Sequence, residues 1–164
     1  MKIIGIDPGL ATVGIGIVEA DDPQTIEPLD WFTIETKAGL PIHERLLEIS
    51  DDLSELLEEE KPDLVVVEKI FFSVNEKTAL DVAQARGVIL QCIADQEIPL
   101  MEITPMQLKQ CITGDGSADK RQIQDMLVRM LNLNEIPTPD DAADALGMAV
   151  YGVVNNVLLS PSPL

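Results

Sequence analysis

The chain has 164 residues, 46% of them hydrophobic, which suits one domain with a sizeable core. It has no run of about 18 apolar residues, and Met1-Lys2-Ile3-Ile4 runs to Asp7 without the apolar stretch and cleavage site of a signal peptide, so a soluble cytoplasmic protein with no membrane span is expected. A net charge of −18 excludes a basic footprint spread over the whole surface.

Residues 2–7 read as a buried strand ending in an acid, followed by a turn at Asp7-Pro8-Gly9-Leu10. Residues 13–19 read as a second strand, whose alternating glycines permit close packing. Asp21-Asp22-Pro23 reads as a loop, and residues 29–36 as a third strand containing Trp31 and Phe32. Ile42, Leu46, Ile49, Leu53 and Leu56 fall at helical spacing, so residues 42–60 predict an amphipathic helix that Pro62 ends. Residues 64–68 form a short apolar strand that again ends in an acid, Glu68. A helix at about 76–96, a strand at 99–103 and helices near 105–112, 119–132 and 139–158 follow. Thr104-Pro105 and Thr138-Pro139 each read as a helix N-cap and first position. Residues 159–164, with Ser160-Pro161-Ser162-Pro163, read as a frayed tail outside a single domain of residues 1–158.

The first three strands can form an antiparallel meander, and the later two need parallel crossovers. The fold class is therefore α/β, a mixed five-stranded sheet flanked by helices.

The charge is uneven. Residues 1–68 carry 17 acids and 4 bases, net −13; residues 69–129 carry 8 acids and 7 bases, net −1; residues 130–164 carry 4 acids and no base. A bound polyanion would meet mainly the middle segment, which holds seven of the eleven cations. Cys92 and Cys111 read as buried, reduced thiols. With His43 the single histidine and no Cys/His cluster, a zinc site is excluded, and any metal is held by oxygen, which points to magnesium or manganese.

Asp7 and Glu68 each sit at or near the C-terminal end of a predicted central strand, the usual edge for a site in α/β folds. Taken singly, each reads equally well as a strand end in solvent. Asp141 and Asp144, three residues apart, share one face of the last helix, and the alanines beside them allow close approach to the sheet. Asp140 and Asp141 also suit a helix N-terminus electrostatically, so spacing alone does not choose between them. Four convergent carboxylates suit two divalent cations acting on a phosphate.

Five segments in order resemble the RuvC family of crossover junction endonucleases. They are Gly5-Ile6-Asp7-Pro8-Gly9, Val66-Val67-Glu68, Gln84-Ala85-Arg86-Gly87, Gly114-Asp115-Gly116-Ser117-Ala118-Asp119-Lys120 and Asp141-Ala142-Ala143-Asp144-Ala145-Leu146. The resemblance implies an RNase H-like fold and a homodimer that makes paired symmetric nicks in Holliday junctions. It also implies partnership with the RuvA–RuvB branch-migration complex. The family's metal-binding acids fall on Asp7, Glu68, Asp141 and Asp144, and its lysines near the scissile phosphate on Lys109 and Lys120. Phe71 falls on an aromatic thought to stack on a base near the crossover; with Phe72 beside it, one ring can face the core and the other a base. Lys77, Arg86 and Arg121 are candidate contacts to the DNA backbone. Val74 and Asp81 depart from the family where basic residues are expected, and no base follows Tyr151.

Three other readings compete. A nucleotide-binding protein of the actin-like or sugar-kinase type shares a Gly-Ile-Asp-x-Gly loop but needs two such domains. A scaffold that binds junctions without cutting them would lack one of the four acids, and all four are present. A different RNase H-like nuclease would lack the Asp-Ala-Ala-Asp and Gln-Ala-Arg-Gly motifs.

Overall fold

The computed structural model describes residues 1–69 and 76–159. Five strands, β1 (Lys2–Asp7), β2 (Thr12–Asp22), β3 (Thr25–Glu35), β4 (Leu64–Glu68) and β5 (Leu100–Ile103), form one sheet in the order β3-β2-β1-β4-β5. β1–β2 and β2–β3 pair antiparallel, while β1–β4 and β4–β5 pair parallel. The helices are α1 (Ile42–Glu60), α2 (Glu76–Asp95), α3 (Pro105–Thr113), α4 (Lys120–Met130) and α5 (Asp140–Leu159). The expected mixed sheet and its crossovers are therefore present.

Strand alternation divides the core in two. Ile4, Ile6, Val65 and Val67 pack under Ile49, Leu53 and Leu57 of α1 and Ala85, Ile89 and Ile93 of α2. Ile3, Leu64 and Val66 face the other way, against Leu146, Ala149 and Val153 of α5 and residues of α3 and α4. With a side-chain period of two, Asp7 follows Ile3 and Gly5 onto the α5 face, and Glu68 follows Leu64 and Val66.

Three details depart from the sequence reading. The hairpin of β2 and β3 runs past the expected loop, with Asp22 opposite Thr25 and the Asp22 carboxylate accepting from the Gln24 N–H at 2.7 Å. The buried stripe of α1 is Ile49, Leu53 and Leu57, while Ile42 is exposed. The first hydrogen bond of α5 runs from the Ala143 N–H to the Pro139 carbonyl, so the helix opens at Asp140, one residue later than Thr138-Pro139 suggested. Thr104 does cap α3, in a reciprocal capping box with Gln107. Cys92 is buried and Cys111 half-buried, and both are free thiols. Leu159 closes α5, so the expected tail begins one residue early and otherwise lies outside the described residues.

Candidate active site

The site lies where β1, β4 and α5 meet. Ile6 and Val67 are the last paired residues of the parallel β1–β4 ladder, so the next residue on each strand, Asp7 and Glu68, emerges side by side. Neighbouring strands are about 4.8 Å apart, which keeps the two carboxylates close. Glycine then lets α5 press onto the same face. A Cβ on Gly5 would fall on the Ala145 carbonyl, one on Gly14 on the Asp141 carbonyl, and one on Gly16 on the backbone of Leu146. The close packing expected of the alternating glycines is thus directed at the helix that carries Asp141 and Asp144.

Asp7, Glu68 and Asp144 line one cavity of about 210 Å³ together with Lys109 and Lys120. Apolar walls come from Pro105, Leu108, Ile123 and Met148, which the sequence reading did not single out. Asp141 opens instead onto an adjoining groove that shares Asp7 as a wall. Among the described residues, no three Asp, Glu, His or Cys side chains close around one point as a ready metal cage. The four acids are instead divided between the cavity and the groove, with Asp7 common to both.

Electrostatics bear out the crowding of these acids. Burial pushes the Asp7 carboxyl up to about 8, with Glu68, Asp144 and Asp141 adding repulsion that Lys120 only partly offsets. Burial likewise raises Glu68, with Asp144 adding to it. Asp144 is raised by burial against the opposing pull of Lys120.

Lys120 is placed by local structure. Asp119 caps α4 through a capping box with Gln122, which sets Lys120 at the first helical position. Its Nζ lies 3.1 Å from Asp140 Oδ2 and 3.4 Å from Asp144 Oδ2. Burial opposes its charge, but these carboxylates outweigh it and hold the ammonium above the ordinary lysine value. Asp140, exposed, is thus a partner of Lys120 outside the cavity walls.

The remaining candidates fare differently. Arg86 is engaged within the fold: its Nε donates to the Glu68 carbonyl at 2.9 Å and its guanidinium pairs with Glu102. That geometry commits the side chain to the strand end and leaves little of it for the DNA contact expected of it. Arg121 is exposed on α4. Lys77 belongs to α2, but its side chain lies outside the described residues, as do Phe71, Phe72 and Val74 entirely. Arg45 was not anticipated; it lines the groove beyond Asp7, and its place between Glu44 and Leu46 on an acidic helix carried no signal.

The family model for the crossover junction endodeoxyribonuclease RuvC matches residues 3–152. The chain belongs to the RuvC family. RuvC of Brevibacillus brevis is 49% identical over 150 residues, covering 92% of this chain and 90% of that one. RuvC of Thermomicrobium roseum is 45% identical, with 92% and 91% covered. The structure of Thermus thermophilus RuvC in complex with Holliday junction substrate superposes with a TM-score of 0.91 at 31% identity, covering 100% of this chain and 99% of that one. The fold is thus that of a RuvC nuclease, RNase H-like as the resemblance implied, and no described helix is long and apolar enough to cross a membrane.

Proposed function

We propose that this RuvC-family chain is a Holliday junction resolvase, a magnesium-dependent endonuclease that nicks two opposing strands of four-way DNA. The observation that carries the reading is the meeting of three acids from β1, β4 and α5 with Lys109 and Lys120 in one cavity. The donor set fits a hard divalent cation, because every candidate ligand is a carboxylate. The raised Asp7, Glu68 and Asp144 carboxyls also mark negative charge that the protein alone leaves undercompensated. Asp7, Glu68, Asp141 and Asp144 would hold magnesium, or manganese in its place, with two ions per site. When bound, the metal lowers the pKa of water and stabilises charge on phosphate.

The protein's own groups do the rest. Lys109 and Lys120 face the scissile phosphate and offset the charge that builds on its oxygens. Asp144 and Asp140 hold the Lys120 ammonium at the cavity. Arg86 fixes the Glu68 strand end. Phe71, with Phe72 beside it, is assigned to base stacking at the crossover by one of the two rings, and Lys77 and Arg121 to the DNA backbone. Two such sites in a homodimer match the near-symmetry of a junction. A single domain, a cytoplasmic location and work with RuvA–RuvB belong to the same reading.

An end-labelled synthetic four-way junction tests it, incubated at low salt with magnesium or with chelator, since few phosphate contacts make binding easily screened. Symmetric, ligatable nicks that need magnesium support the reading. Binding without any nick would favour the scaffold, and the absence of both would refute the assignment.

A further inference from the structure

Three of the eleven cations are held in ion pairs by the chain's own acids among the described residues. Lys2 pairs with Glu60, Arg86 with Glu102, and Lys120 with Asp140 and Asp144. Arg45 is different. It is half-buried at the wall of a groove of about 410 Å³ that also meets Asp7, Leu10, Asp81 and Asp141. Among the described residues no carboxylate forms an ion pair with it.

Its orientation is fixed by a short relay. Arg45 Nε donates to Thr36 Oγ1 at 2.8 Å, and that hydroxyl donates to the Leu10 carbonyl at 2.7 Å. Thr36 is buried, and its N–H also donates to the Ala11 carbonyl at 3.0 Å. The guanidinium is thereby tied to the turn that follows Asp7. Its two terminal NH2 groups make no hydrogen bond among the described residues. An always-charged planar fork, held at its Nε edge with its terminal donors free, is matched to a phosphate.

Asp7 lines both this groove and the cavity of the two lysines. Lys109 and Lys120 therefore flank the carboxylates on one side and Arg45 on the other. We infer that Arg45 binds the phosphodiester adjoining the scissile one on the strand being cut. Asp81 on α2 lines the same groove, so at this wall the cation comes from α1 and not from α2.

The inference rests on the resolvase reading, and its test separates the two. Junction binding is titrated with calcium in place of magnesium, for the parent chain and Arg45→Gln. The junctions carry one neutral methylphosphonate at each of the two linkages on either side of the cleaved bond in turn. The parent should lose about tenfold in affinity at one of these linkages. Arg45→Gln should bind the unmodified junction about tenfold more weakly, show a salt slope smaller by about one, and lose nothing more at that linkage. A merely structural role for Arg45 would not erase the penalty at a single phosphate. Penalties in Arg45→Gln equal to the parent's at every linkage would overturn the inference and leave the resolvase reading standing. A parent chain that does not bind the junction would refute both. Should Arg45→Gln not fold, Arg45→Met serves: it keeps the aliphatic stem, removes the charge, and should lower the salt slope and erase the single-linkage penalty in the same way. An undiminished penalty in Arg45→Met would overturn the inference equally.

Discussion

Gly14 of β2 lies directly against the carbonyl of Asp141 on α5, with no room for a side chain between them. The same position is opposite Asp7 in the β1–β2 ladder, and a Cβ on Gly14 would stand 3.1 Å from that of Asp7. One glycine thus brings a strand acid and a helix acid together.

Gly14→Ala should therefore move the first turn of α5 away from the sheet. Overpacking of this kind costs about 1–3 kcal/mol, and displacing a catalytic group by an ångström costs roughly 100-fold in rate. Gly87, in the middle of α2, is the comparison, because nothing lies within 4 Å of an added Cβ. Gly87→Ala should gain about 0.5–1 kcal/mol from helix propensity alone. Denaturant titration of both variants checks the contrast in sign.

Asp7 also predicts a pH dependence. Its carboxyl titrates near 8 in the folded protein against an ordinary value of 3.8. Between those values the folded chain holds a proton that the unfolded chain has lost, so the stability it contributes is complete below the lower value and is lost as pH rises through the upper. Metal-free protein should melt at a lower temperature at pH 8 than at pH 5. Asp7→Asn should flatten that slope by at most about 1.4 kcal/mol per pH unit, the value of one proton. Glu68 and Asp144, also raised, act in the same direction. Equal slopes in parent and variant would place the pH dependence on groups other than Asp7. Magnesium should raise the melting temperature more at pH 8 than at pH 6, because it competes with protons for the same oxygens.

Arg86 touches the site through the Glu68 carbonyl, so its removal should act on Glu68. Arg86→Gln should raise the magnesium needed for half-maximal cleavage by about 10–100-fold, the usual cost of losing a partner behind a ligand. Junction affinity should change little. A large loss of affinity with unchanged magnesium dependence would instead make Arg86 a DNA contact.

Lys120 is partly open, 47% exposed, yet held by two acids. Lys120→Gln should leave folding nearly intact, because exposed ion pairs contribute little. Single-turnover cleavage should fall about 100-fold or more if the ammonium meets charge on the reacting phosphate. Asp140→Asn, which removes one anchor outside the cavity, should cost far less.

Much of this was legible along the chain because local and global preferences agree. The apolar runs ending in Asp7 and Glu68 are central strands, and the capping of α3 by Thr104 follows from the Thr104-Pro105 pair. The hairpin beyond Asp21 was not legible, because Asp21-Asp22-Pro23 reads as a loop, while cross-strand pairing carries the strands on through Ala20 opposite Ile26 to Asp22 opposite Thr25. The buried face of α1 was read about one residue off at its end, since Leu56 and Leu57 are equally apolar and the packing on α2 decides between them. The division of the four acids between a cavity and an adjoining groove, the inward turn of Arg86 and the relay from Arg45 to Leu10 all depend on contacts distant in sequence.

The most direct measurement compares the parent chain with Asp7→Asn on an end-labelled four-way junction in magnesium, scoring binding and cleavage in the same tubes. Asp7 is the acid shared by cavity and groove, and the asparagine keeps its size while weakening its hold on a cation. Both proteins should bind the junction, and only the parent should produce paired, ligatable nicks. Nicking by Asp7→Asn at the parent's rate would contradict this.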